Sequence, residues 1–267
     1  MLKKRIITAL WGIPLVILAV WFNKPAPWFT ILAGVWGILA VIEFYRLTGV
    51  VKVTPLAVFG VAATLLFVIY PHCTYKFVIP VLLTITVAFS LIMLVFIKEK
   101  QGLFTAWAWM MGGVLYVGWL LGLMVALRTG AGRDWVFLAL LATFGSDTAA
   151  YFVGKAIGRH RMAPQISPGK TWEGAVAGLV GAVIISLLFT LDTPLQLPLG
   201  YGTAVFLGLL ISIFGQAGDL VESLFKRNAG VKDSGGLMPG HGGLLDRMDS
   251  MVFAGAVVYI YYIFVLA

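Results

Sequence analysis

The chain has 267 residues, of which 61% are hydrophobic and 11% charged, against about half and about a quarter in an average soluble domain. That balance excludes a water-soluble globule and a disordered chain, and the single cysteine, Cys73, excludes an internal disulfide scaffold. The net charge of +8 is a topology signal before it is a ligand signal, because basic residues near span ends favour the cytoplasmic side; no nucleic-acid partner is expected.

The N-terminus pairs a basic head, Lys3-Lys4-Arg5, with an apolar body to Phe22, as a signal peptide does. Trp21-Phe22-Asn23-Lys24-Pro25 follows in place of a small-residue cleavage site, so the segment is kept as a first helix. Hydropathy predicts eight further helices near 28–47, 55–70, 77–97, 103–127, 134–154, 172–190, 201–225 and 249–266. Nine spans of about 20 residues use roughly 180 residues, which fits the chain. The breaks carry turn chemistry, as at Pro25-Ala-Pro27, Pro71-His72, Gly130-Ala-Gly132 and Pro194 to Gly200. The expected fold is all-α, a polytopic integral membrane bundle. Residues 1–130 hold about five helices; 131–267 hold about four helices and two long loops, 155–171 and 226–248.

With the N-terminus inside, fifteen of the nineteen Lys and Arg fall on the inner side, leaving Lys24, Lys76, Arg128 and Arg133 outside. The positive-inside rule therefore predicts N-in, C-out for nine spans, with Cys73 outside and both long loops in the cytoplasm. Trp11, Trp21, Trp28, Trp135 and Trp172 fall near predicted span ends, where tryptophan anchors at the interface.

Five acids lie within, or at the inner ends of, these helices: Asp147, Asp219, Glu222, Asp246 and Asp249. A carboxylate at the bilayer centre costs about 2.5 to 3.5 kcal/mol on insertion scales, so such residues need cationic partners. Asp219 with Glu222, and Asp246 with Asp249, are three apart and would share a helix face, where like charges repel. A divalent cation such as Mg²⁺ reverses that penalty. The competing reading is a structural network with Lys226, Arg227, Arg247 and Lys170. Asp147 is open to a third, a packing hydrogen bond between helices.

The two long loops are rich in glycine and cations. One reads Lys232-Asp-Ser-Gly-Gly236-Leu-Met-Pro-Gly-His241-Gly-Gly-Leu-Leu-Asp246-Arg-Met-Asp249. Its glycines let backbone N–H groups cradle phosphate, and Lys or Arg neutralises the charge. His241 either contacts phosphate or moves a proton, or is a hydrogen-bonded loop residue. The other contains Ser167-Pro-Gly-Lys-Thr-Trp-Glu-Gly174, where Gly-Lys-Thr invites a P-loop reading. That reading fails because Pro164 stands where the first glycine is needed and no strand is expected before it. What survives is Ser167, Lys170 and Thr171 just before a helix N-terminus suited to an anion, or Ser167 or Thr171 as the helix cap alone.

The stretch Ser223-Leu-Phe-Lys226-Arg227, then Lys232-Asp233, His241-Gly242-Gly243 and Asp246-Arg247-Met-Asp249, closely resembles the signature of phosphatidate cytidylyltransferases, or CDP-diacylglycerol synthases. Asp147-Thr-Ala-Ala-Tyr-Phe152 and Ser167 to Gly174 resemble further segments of that family in the expected order. The resemblance implies an enzyme of a bacterial-type inner membrane that makes CDP-diacylglycerol and pyrophosphate from CTP and phosphatidic acid, with Mg²⁺, at the cytoplasmic face. It implies that Asp219, Asp246 and Asp249, with Asp147, hold one or two cations. Asp246, Asp249, Asp219, Lys170 and His241 are the expected catalytic set. Ser167, Lys170, Thr171, Lys226, Arg227, Lys232 and Arg247 are the expected phosphate binders.

Three other classes compete. A CTP-dependent polyprenol kinase would release CDP rather than pyrophosphate. A CDP-alcohol phosphotransferase would show a helix with three or four regularly spaced aspartates, and there is none. An ion-coupled transporter would commonly show an internal repeat, and there is none. Gly118-xxx-Gly122 and Gly174-xxx-Gly178 are spacings that pack helices either within one chain or between two copies, as in a homodimer.

Overall fold

The computed structural model describes residues 2–98, 100–236 and 242–266, with side chains from residue 10 onward. Each of the nine apolar segments is helical: α1 (Leu2–Trp21), α2 (Trp28–Thr48), α3 (Thr54–Ile69), α4 (Val78–Phe96), α5 (Leu103–Gly130), α6 (Arg133–Ile157), α7 (Trp172–Leu188), α8 (Tyr201–Asn228) and α9 (Asp249–Val265). Six segments are long and apolar enough to cross a membrane: α2, α4, α5, α6, α8, and α3 with the turn that continues it to His72. The apolar part of α1 (Leu10–Trp21), α7 and α9 are shorter. The α4 helix shows the solvent such surfaces are made for. Val81, Ile85, Phe89, Ile92 and Phe96 are exposed at helical spacing down one face, an apolar stripe that water would not tolerate and acyl chains would.

The described residues form two compact units, 1–129 with 233–246, and 130–232 with 247–267. In the first, α5 is continuous but passes through a π-helical segment at Val114–Trp119. Its small-residue spacing is used inside the chain. A Cβ on Gly118 would stand 2.9 Å from the Thr64 Cα, and one on Gly122 would strike the Phe67 carbonyl. The backbones of α5 and α3 therefore touch, which only glycine permits. Tyr45, fully buried on α2, donates its hydroxyl to the Met110 carbonyl at 3.0 Å.

In the second unit α6, α7, α8 and α9 pack on one another. The Gly174-xxx-Gly178 spacing is again internal: Cβ atoms there would meet the Ala150 carbonyl at 2.8 Å and the Ser146 hydroxyl at 2.9 Å. Ser146 and Ser212 join α6 to α8 through their hydroxyls at 2.7 Å, and Gln216 donates to the Ala175 carbonyl at 3.1 Å and to Ser212. These bonds satisfy polar groups that lipid could not.

Four expectations need correction. The loop 155–171 is partly a strand pair, β1 (Arg161–Ala163) and β2 (Ser167–Thr171), antiparallel with Arg161 opposite Thr171 and Ala163 opposite Ser167. Strands this short, with Pro168 and Gly169 inside one of them, carry no alternating pattern to read. Gly169-Lys170-Thr171 thus lies on a strand, but still without a P-loop glycine at 164. Three helices, α5, α6 and α8, also run three residues past their expected ends. α6 continues to Ile157, so Asp147 lies ten residues, about 15 Å, before its end and well within the helix. Lys226 and Arg227 are in the last turn of α8, not in a loop. Finally, Trp135 is only 5% exposed and packs on Tyr261 and Tyr262; it is a core residue, whereas Trp11, Trp28 and Trp172 are exposed.

Candidate active site

Polar residues gather in two places, one in each unit. In the second unit the strand pair brings Lys170 to α8. Its ammonium pairs with Asp219 Oδ2 at 2.8 Å and donates to the Gln216 carbonyl at 3.3 Å. Ser223, one turn on, donates to Asp219 Oδ1 at 3.4 Å. Asp219 is near enough to Asp147 on α6 and to Asp249 at the start of α9 to interact electrostatically with both, and those two also act on each other. Lys170 acts on Asp147, and Lys226 on Asp249. Three carboxylates from three helices are therefore within electrostatic range of one another. Asp249 also accepts the Ser250 amide at 2.7 Å, at the helix N-terminus where a carboxylate is favoured.

Other predicted residues do structural work. Glu222 is fully buried and pairs with Lys226 one turn along α8, so the structural reading applies to that acid. Arg227 donates from Nε to the Ile166 carbonyl at 3.0 Å and from Nη1 to Val231, tying the turn between the strands to the end of α8. Thr171 is the N-cap of α7, accepting the Gly174 amide at 3.1 Å. Ser167 opens β2 opposite Ala163. Lys232 and Arg247 are exposed.

The glycine loop belongs to the first unit, and here the structure adds a residue that the sequence reading passed over. Glu43, five residues before the end of α2 and 1% exposed, accepts the Leu244 amide at 2.7 Å and the Leu245 amide at 3.0 Å on one oxygen, with the Ser234 hydroxyl at 3.3 Å. Asp246 accepts the Gly243 amide at 2.8 Å and the Ser234 amide and hydroxyl at 3.1 and 3.0 Å. A lone carboxylate within Val41-Ile-Glu43-Phe-Tyr45 is itself a signal, since an ionisable group in a span marks function by default. His241 lies outside the described residues.

No group of three or more His, Cys, Asp or Glu close enough to hold a metal ion occurs among the described residues. The chemistry of the donor set nevertheless suits a hard cation. Asp147, Asp219 and Asp249 repel one another, and the Lys170 ammonium offsets part of that charge at Asp219.

Residues 3–265 match the Cytidylyltransferase family. The chain is 33% identical to the phosphatidate cytidylyltransferase of Bacillus subtilis over 97% of its length and 96% of the relative's. The chain belongs to the phosphatidate cytidylyltransferase family. It is also 36% identical to the phosphatidate cytidylyltransferase of Staphylococcus haemolyticus, covering 81% of this chain and 84% of the relative. With phosphatidate cytidylyltransferase 5, chloroplastic, of Arabidopsis thaliana, identity is 41% over 64% of this chain and 49% of the relative. Membership in this family makes the chain a membrane-bound nucleotidyltransferase of phospholipid biosynthesis.

Proposed function

We propose that this chain transfers the cytidylyl group of CTP to phosphatidic acid at the cytoplasmic face of a bacterial inner membrane, releasing pyrophosphate. The observation that carries the proposal is that Asp147, Asp219 and Asp249 lie within electrostatic range of one another, with Lys170 paired to Asp219 and acting on Asp147. The names of the bacterial relatives supply the substrates. The nine helices, N-in and C-out, would put both long loops where the nucleotide is.

In the proposed reaction a phosphate oxygen of the lipid attacks the α-phosphorus of CTP. The new P–O bond forms as the bond from that phosphorus to the oxygen bridging the β-phosphate breaks, and the electron pair leaves with pyrophosphate. Little covalent work falls to the protein, so rate comes from alignment and charge neutralisation. Asp219, Asp249 and Asp147 would hold Mg²⁺, which when bound supplies positive charge to the reacting and leaving oxygens. Asp246, part of the same family-like signature as Asp249, is proposed as a further carboxylate of the reaction on that resemblance. Lys170, once exchanged off Asp219, would bind phosphate with Ser167, Lys232, Arg227 and Arg247. Thr171 would aim the N-terminal amides of α7, and His241 would contact the leaving phosphates. Lys226, committed to Glu222, contributes charge. A dimer finds no support in the glycine spacings, which are filled within the chain.

The test is direct. Purified protein in detergent with phosphatidic acid, Mg²⁺ and each nucleotide in turn should release pyrophosphate from CTP and form CDP-diacylglycerol. Release of CDP would make the enzyme a lipid kinase instead.

A further inference from the structure

The glycine loop 233–246 is flanked in sequence by α8 and α9, yet it belongs to the unit built from α1 to α5. What ties it there is concentrated on one side chain. Glu43 arrives from α2, 191 residues away from Ser234, and one of its oxygens receives two consecutive backbone amides, Leu244 and Leu245, together with the Ser234 hydroxyl. Trp36, two turns earlier on α2, adds a bond from its indole N–H to the Leu244 carbonyl at 3.2 Å.

The loop sequence is shaped to this carboxylate. A Cβ on Gly235 would collide with Glu43 Oε1, and a Cβ on Gly243 would stand 2.6 Å from Glu43 Oε2. Two glycines are therefore required because an anion occupies the space that side chains would need. On the far side of the same loop Asp246 takes the Gly243 amide and both donors of Ser234. Ser234 has one hydroxyl hydrogen and two carboxylate acceptors, 3.3 Å away on Glu43 and 3.0 Å away on Asp246, so the two acids are joined through it. Charge-assisted bonds of this kind are the strong ones, and a buried carboxylate without them is costly.

We propose that Glu43 is a positioning residue for the enzyme: by holding the amides of Leu244 and Leu245 it fixes the backbone from which Asp246 projects. It is separate from the carboxylates proposed to meet the cation. Its contribution to catalysis rests on the cytidylyl-transfer reading, whereas its hold on the loop does not.

The experiment uses the full chain in detergent and two lesions at one contact. Glu43→Gln removes the charge at constant shape. Gly235→Ala pushes the carboxylate off the amides from the loop side while leaving Glu43 in place, so a folding failure of one variant leaves the other to decide. Phe44→Leu, a neighbouring core lesion on α2, controls for general loss of stability. Hydrogen–deuterium exchange at Gly243, Leu244 and Leu245, without substrate, should speed up at least tenfold in both contact variants and not in Phe44→Leu. The Mg²⁺ concentration for half-maximal CDP-diacylglycerol formation should rise about tenfold in the contact variants alone. Unchanged exchange in a folded contact variant overturns the proposal. So does faster exchange with Mg²⁺ dependence like that of wild type or of Phe44→Leu. A wild-type protein that makes no CDP-diacylglycerol would refute the enzymatic reading, and the exchange arm would still judge the anchoring of the loop by Glu43.

Discussion

Lys170 and Asp219 form an ion pair whose side chains are 21% and 36% exposed. A pair that open to solvent contributes at most about 1 kcal/mol to stability, so stability is a poor reason for placing it there. Asp219→Asn is expected to leave the thermal midpoint in detergent close to that of wild type while lowering kcat by about 100-fold or more, as loss of a ligand to the cation proposed to neutralise the reacting phosphates would. A parallel fall in midpoint and activity would make Asp219 structural. The pair one turn further on behaves in the opposite way. Glu222 is fully buried against Lys226, and breaking a buried pair from one side strands a charge at a cost of about 3–5 kcal/mol. Lys226→Met should therefore lower the thermal midpoint sharply, and adding Glu222→Gln should recover much of the loss. Thermal melts of the single and double variants decide this. The sequence displayed both acids equally, because spacing shows which residues share a helix face but not which of them is enclosed.

At the scale of the elements, the apolar segments were legible because a span announces itself by composition over about 20 residues. Most of their ends were legible too, to within two residues, but α5, α6 and α8 run three residues further than expected. Hydropathy stops where polar residues begin, but the backbone ladder continues through Lys155 on α6 and Lys226 and Arg227 on α8, since charged residues are good helix formers. The strand pair was illegible for a different reason: its order comes from cross-strand bonds and from His160, whose amide and ring nitrogen both meet Glu173. The glycine spacings were visible, but whether they served one chain or two was decided only by what stands opposite them. Gly122→Ala would drive a methyl into the Phe67 carbonyl of α3, and overpacking of this kind costs about 1–3 kcal/mol. Gly112→Ala, on the same helix with open space at its Cβ position, should instead stabilise by up to about 1 kcal/mol through helix propensity. Melts of the two variants should move in opposite directions.

For the whole molecule, the site was only half legible. The signature residues of 147–249 stand out as polar letters in an apolar text, while Glu43 is a single acid whose partners lie about two hundred residues away; no local pattern links them. Sidedness is the remaining whole-chain property on which the proposed chemistry depends, because CTP is supplied from the cytoplasm and cannot cross lipid. Fifteen basic residues expected inside against four expected outside predict N-in, C-out. Cys73, the sole cysteine, is exposed just beyond the turn that ends α3. On the predicted orientation a thiol at this position would report on the face opposite both long loops. An impermeant maleimide added to intact spheroplasts should label Cys73 fully, and Cys73→Ser should abolish the signal. Labelling only after the membrane is opened would put the loops carrying Lys170 and Asp246 on the outer face, away from the nucleotide, and the proposed reaction would have no access to its first substrate.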